Sequence, residues 1–284
     1  MKTQKWIKLT ALALLSGVMF ISCQKEEAFT PDTAESLNYT VRPDFATLDT
    51  RPQEVIDQFM VTGDDALAVK LDENSAKPGT KYALVVGISN YAGTANDLTY
   101  CDEDADDWKS QLLSEGYSVT SIKDLSATKS NIESALATLA SQSIAGNEIA
   151  FVYSGHGSSG NIVTTDLYYI NSSWFETTFS NATSTKMMFT FDACEIGAMA
   201  TDLNATGRVI AVGSSKNTYS YDGDASMQNG VFTYYQMVGF DSMNYIYVEP
   251  DFSYAVTQMK AWAKSVGVRV APSFKDSYAG DFDL

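Results

Sequence analysis

The chain has 284 residues, with 19 Lys plus Arg against 35 Asp plus Glu, three Cys and one His. At 45% hydrophobic and 19% charged residues it can bury a full core, which excludes disordered and fibrous classes. A formal charge of -16 leaves little with which to neutralise phosphates, so nucleic acid is not an expected partner and cationic ligands are. One His and three scattered Cys exclude a zinc cage built from these ligands. Any imidazole chemistry must use His156, and any thiol chemistry must choose among Cys23, Cys101 and Cys194.

In chain order, Lys2, Lys5 and Lys8 precede an apolar run from Leu9 to Ile21, followed by Ser22-Cys23. This is the layout of a secretory signal over residues 1-22, and the run is shorter than the ~20 residues a spanning helix needs. Phe20-Ile21-Ser22-Cys23 resembles the lipobox of bacterial lipoproteins, with Phe20 in place of the usual Leu. The resemblance implies lipidation of Cys23 as the first mature residue. Gln24-Lys25-Glu26-Glu27 resembles the acidic sorting signal of some surface lipoproteins, which implies a lipid anchor on the outer membrane with the protein exposed at the cell surface. Cleavage would remove three Lys and no acid, taking the charge from -16 to -19. No later stretch of ~18 apolar residues follows, so the remainder is expected to be soluble.

Residues 23-79 are polar and carry Pro31, Pro43, Pro52 and Pro78; they read as a tether, with two helical turns expected over 54-61. From residue 80 the texture changes. The apolar run at 82-88 reads as a strand buried on both faces, and 102-113 as a helix with Ala105, Trp108, Leu112 and Leu113 on one side. Strands are expected at 117-122, 148-154, 186-192 and 208-214. Helices are expected at 128-142, where Ile132, Leu136 and Leu139 form a stripe, and later at 231-240 and 254-264. Strand alternating with helix predicts a mostly parallel sheet of about six strands covered on both faces, a three-layer α/β/α sandwich over residues 80-284.

Ligands of open parallel sheets bind beyond the carboxyl ends of the strands. One strand runs into Tyr153-Ser154-Gly155-His156-Gly157-Ser158 and another into Phe191-Asp192-Ala193-Cys194-Glu195. If these strands are parallel neighbours, His156 and Cys194 lie at one edge, the geometry of a Cys-His dyad in which imidazole helps generate the thiolate and then protonates the leaving amine. Either residue alone would be read as an ordinary core side chain. Their joint placement carries the functional reading.

The segments YSGHGS and FDACEIG, with Cys194 38 residues after His156, together with YALVVGISNY and LTYCDEDADDW, resemble the caspase-type cysteine peptidases and, within them, the bacterial metacaspase-like branch. The resemblance runs from about Lys81 to the C-terminus. It implies Cys194 as nucleophile, His156 as general acid/base, and the backbone N-H groups of Cys194 and Gly157 as oxyanion hole, with no third catalytic acid required. It also implies an S1 pocket lined by Asp192, Asp104, Ser154 and Cys101. Two carboxylates there favour a guanidinium or ammonium at P1, so the expected substrates are polypeptides cut after Arg or Lys. The absence of Arg between Arg51 and Arg208 agrees. Asp104 also has a structural reading, since DEDADD at 102-107 is an acid-rich first helical turn. Cys101 is a pocket wall, a core thiol, or a disulfide partner of Cys194 that would silence the enzyme.

No cofactor is required, and the resemblance leaves calcium activation open. Asp166, Asp202, Asp222 and Asp224 form no recognisable site, and 241-249 lacks the carboxylate spacing of a calcium loop, so no metal ligand is named. Self-processing after Lys186, Arg51, Lys70 or Lys77 is open, as is a tether lying across the cleft as a pro-segment. Two alternatives remain: a clostripain- or gingipain-like peptidase of the same clan, which typically carries Met-Gly where this chain has Ile196-Gly197, and a silent caspase-fold surface module. Monomer and dimer are both open.

Overall fold

The structure is a computed structural model that describes residues 40-41, 52-66, 77 and 79-284. The signal at 1-22, Cys23, Arg51 and Lys70 lie outside the described residues. Before the main domain come β1 (Thr40–Val41), α1 (Gln53–Gln58) and β2 (Met60–Val61). Where two helical turns are expected over 54-61, the helix ends at Gln58 and the chain extends so that Met60 and Val61 pair in parallel with Tyr169 and Ile170.

The central sheet contains β3 (Lys81–Gly87), β4 (Ser118–Lys123), β5 (Glu148–Ser154), β9 (Lys186–Asp192), β10 (Arg208–Val212) and β12 (Ser273–Asp276), in the order β12-β10-β9-β5-β3-β4. The first five named pair in parallel and β12 adds antiparallel to β10. This is the expected six-stranded, mostly parallel sheet. The edge strand β12 has no counterpart among the expected strands, because only one of its four residues is a large hydrophobe and its side chains are mostly exposed.

The continuous apolar runs follow from burial on both faces. In β5, Ile149, Phe151 and Tyr153 enter one core while Ala150 and Val152 enter the other; in β9, Met187, Phe189 and Phe191 face the first core and Met188 the second. Helix α2 (Cys101–Ser114) covers the second core with Ala105, Trp108 and Leu112, and α3 (Lys129–Gln142) covers the first with Ile132, Leu136 and Leu139. Thr128 caps α3 by accepting from Asn131 N at 3.3 Å. The short strands β6 (Gly157–Ser158), β7 (Asn161–Val163) and β8 (Tyr169–Asn171) join β2 in a small second sheet, and α4 (Ser172–Thr178) follows. After β9 come the short α5 (Met199–Asp202), then β11 (Tyr221–Asp222), α6 (Val231–Asp241) and α7 (Val248–Val266). Helix α7 starts six residues before the expected 254 because Pro250 sits in its first turn, where a missing N-H costs nothing.

Lys186, considered above as a loop cleavage point, opens the central strand β9 opposite Glu148. Its Nζ lies 3.0 Å from Glu148 Oε2 and 2.6 Å from Asp283 Oδ1. A peptide bond inside a central strand is not presented to a protease, so Lys186 is withdrawn as a cleavage site. Lys77 is exposed.

Candidate active site

Strands β5 and β9 are parallel neighbours, and Ser154 pairs with Asp192 in register. His156 and Cys194 each stand two residues beyond that pair, so both emerge at the same level from the carboxyl edge. Main-chain approach here is close: a Cβ added to Gly157 would collide with Cys194 O and come within 2.9 Å of Ala193 Cβ. Only glycine permits this contact. Beyond the thiol, Glu195 adopts φ 48°, a left-handed conformation that turns the chain sharply out of the strand and that side chains adopt at a cost.

The ring of His156 is held from two sides. Its Nε2 lies 2.7 Å from Asn96 O. A carbonyl can only accept, so Nε2 is the protonated nitrogen and the neutral ring carries its basic lone pair on Nδ1. Tyr91 stacks at 4.6 Å between ring centroids with the planes tilted by 49°. The main chain is also pinned: His156 N donates to Tyr91 Oη at 2.8 Å, and Tyr153 Oη donates to His156 O at 2.7 Å. Burial, with Tyr153 close by, raises the Tyr91 phenol well above its ordinary pKa, so it stays neutral and able to donate. Cys194 is fully buried and its Sγ donates to Ser220 O at 3.7 Å. Cys101 and Cys194 are both thiols, so the inactivating disulfide is not formed.

The four residues expected to line S1 come together. Ser154 Oγ donates to Asp104 Oδ2 at 2.5 Å, and Gly230 N donates to Asp104 Oδ1 at 2.8 Å. Asp192 accepts from Ser220 Oγ, from Thr233 N at 3.1 Å and from Thr233 Oγ1 at 3.0 Å. It therefore also caps the start of α6, where a carboxylate is favoured. Cys101, at the start of α2, lies against Gly87, at which any Cβ would meet Cys101 O. Asp104 and Asp192 are essentially buried.

Two contributors escaped the sequence reading, and a third, Asp222, was considered there only for calcium. The Asn96 carbonyl orients His156, and a main-chain atom has no residue signature. Tyr91 follows the carboxyl end of β3, the right edge, but nothing in its immediate sequence marks it. Asp222 is fully buried, accepts from Thr99 N at 3.1 Å and bridges to Gly230 through its backbone, which links it to Asp104. The other acids considered for calcium are engaged separately: Asp166 with Lys129 N and Thr164 Oγ1, Asp202 with Ser172 Oγ, and Asp224 with Ser226. Among the described residues, no group of three His, Cys, Asp or Glu is placed to hold a metal ion, and no helix is long and apolar enough to cross a membrane.

The family model described as "Caspase domain" matches residues 80-238. A solved structure, protein GSU0716 from Geobacter sulfurreducens, is similar in fold with a TM-score of 0.57 and 16% identity, over 72% of this chain and 97% of that chain. A search of curated proteins finds no match.

Proposed function

Because this chain belongs to the caspase-domain family of peptidases, we propose that it is a cysteine endopeptidase of the metacaspase-like kind that cuts after Arg or Lys. The observation that carries the reading is the register of β5 on β9, Ser154 opposite Asp192, with an imidazole and a thiol leaving the sheet together two residues later. In the proposed reaction, His156 Nδ1 takes the Cys194 proton and Sγ attacks the scissile carbonyl. The N-H groups of Gly157 and Cys194 receive the developing oxyanion. The imidazolium then protonates the leaving amine, and water hydrolyses the thioester with His156 as base.

The test is release of a fluorophore from short peptides ending in Arg, Lys or Asp, with and without calcium and with Cys194→Ala as control. Arg and Lys peptides are expected to be cut and Asp peptides not; hydrolysis after Asp would overturn the S1 assignment. Asp192→Asn should lower kcat/KM for an Arg peptide by about 100-fold, the loss of one charge-assisted hydrogen bond of roughly 1.5–3 kcal/mol. Citrulline has the shape of Arg without its charge. The ratio of Arg to citrulline hydrolysis should therefore fall towards one in this variant, whereas damage to the α6 cap alone would depress both substrates equally.

The proposal also sets the peptidase on the outer membrane, held by a lipid on Cys23; the basic start, the short apolar run and Ser22-Cys23 support it. Labelled palmitate should be incorporated by the wild-type precursor and not by Cys23→Ala.

A further inference from the structure

Strands β3 and β5 are parallel neighbours. Tyr91 follows the carboxyl end of the first and Tyr153 is the last residue but one of the second, so the fold brings two buried phenols to the same main-chain segment. His156 N donates to Tyr91 Oη at 2.8 Å, the two phenol oxygens stand 3.5 Å apart, and Tyr153 Oη donates to His156 O at 2.7 Å.

The number of protons fixes the direction of these bonds. Tyr153 Oη lies within hydrogen-bond distance of two carbonyls, His156 O at 2.7 Å and Val163 O at 2.9 Å, and a carbonyl can only accept. Its single hydrogen is committed there, so between the phenols Tyr91 donates and Tyr153 accepts. Each link then runs the same way, from His156 N through Tyr91 and Tyr153 back to His156 O, a closed cycle on the main chain of one residue. Bonds linked in one sense polarise and strengthen one another away from water. Gly155 leaves room for the cycle: a Cβ there would stand 2.5 Å from Tyr153 Oη and 2.7 Å from Tyr91 Oη.

The cycle holds two peptide planes. Tyr91 fixes the amide that precedes the His156 side chain. Tyr153, together with Val163 N at 3.2 Å, fixes the His156 carbonyl. That carbonyl shares a rigid planar unit with Gly157 N, whose N-H points the opposite way. Holding the carbonyl therefore aims the N-H that the proposed reaction uses for its oxyanion. We propose that Tyr91 and Tyr153 are positioning residues that act through this hydrogen-bond cycle, one side of it setting the His156 imidazole and the other the Gly157 N-H. The effect on catalysis rests on the peptidase reading above; the cycle itself does not.

The full mature chain carrying Tyr91→Phe, Tyr153→Phe or both tests this, since each change keeps the ring and removes one hydroxyl. His156 is the only histidine, so protein made with isotopically labelled histidine gives a single backbone amide signal in a nitrogen-proton correlation spectrum. In Tyr91→Phe that amide proton loses its acceptor and should move to lower frequency. It should also move that way in Tyr153→Phe, although Tyr153 does not touch that amide, because opening the cycle weakens its remaining links. Lower stability alone would leave the signal of the folded protein in place. On an Arg reporter each variant should lower kcat about tenfold or more, the effect of a buried main-chain group losing its partner. KM should stay within about twofold, and the double variant should be about as slow as the slower single one, because one broken link already opens the cycle. An amide signal unmoved in Tyr153→Phe, an unchanged kcat in either variant, or losses that multiply in the double variant would overturn the proposal and leave the peptidase reading standing. If the wild type hydrolyses no Arg or Lys reporter, the peptidase reading falls, and the amide signal still decides whether the cycle exists.

Discussion

Cys194→Ala and His156→Ala should each lower kcat for a basic reporter by about 10³-fold or more, and the double variant should be no slower than either single one. Each loss corresponds to about 4 kcal/mol of barrier. In the proposed reaction the two residues form one device: without the imidazole the thiol has no proton acceptor, and without the thiol the imidazole has nothing to activate, so the effects overlap rather than add. The geometry sharpens the expectation for His156. Asn96 O at 2.7 Å and the Tyr91 ring at 4.6 Å fix which nitrogen carries the proton and which way the ring faces. Single-turnover hydrolysis of the reporter measured across the four proteins decides the matter. Multiplying losses would mean that His156 and Cys194 act in separate steps, and a rate near wild type for His156→Ala would remove it from the reaction.

The second large effect concerns stability and lies away from the site. Asp251, in the first turn of α7, is fully buried, and neither carboxylate oxygen has a hydrogen-bond partner among the described residues. It faces α6 at Gly239, where any Cβ would collide with Asp251 Oδ1. Burial alone raises its pKa from the ordinary 3.8 to about 9. The folded protein therefore keeps a proton that the unfolded chain releases. Stability attached to this group is complete below about pH 4 and is lost progressively as pH rises towards about 9, with a slope of up to roughly 1.4 kcal/mol per pH unit. Asp251→Asn keeps the shape and removes the ionisation. It should stabilise the protein by about 2–4 kcal/mol at pH 7 and change little at pH 4. Denaturant melts of both proteins across that range measure it; parallel stability curves would show that Asp251 is not the titrating group.

The sequence alone determined the scaffold. Strands of five to seven residues buried on both faces must be apolar throughout, so β3, β5, β9 and β10 announce themselves, and β5 and β9 have the boundaries expected from their residues. Because parallel strands present their carboxyl ends together, the ends of those two runs also brought His156 and Cys194 forward as candidates, whereas Ser154 and Asp192 came from the resemblance to caspase-type peptidases. Tertiary structure alone decided what surrounds them. The Asn96 carbonyl that orients the imidazole, the linking of Asp104 and Asp222 through Gly230, and the helix that Asp192 caps all join residues far apart in the chain. The two-residue strands β1, β2, β6 and β11 are too short to carry a period. They exist because a distant edge supplies their hydrogen bonds, and for β1 that edge lies about 180 residues further along the chain, next to the Ser220 carbonyl that Cys194 meets. Local patterning records which face a long segment buries; it holds no record of which remote partner completes a short one.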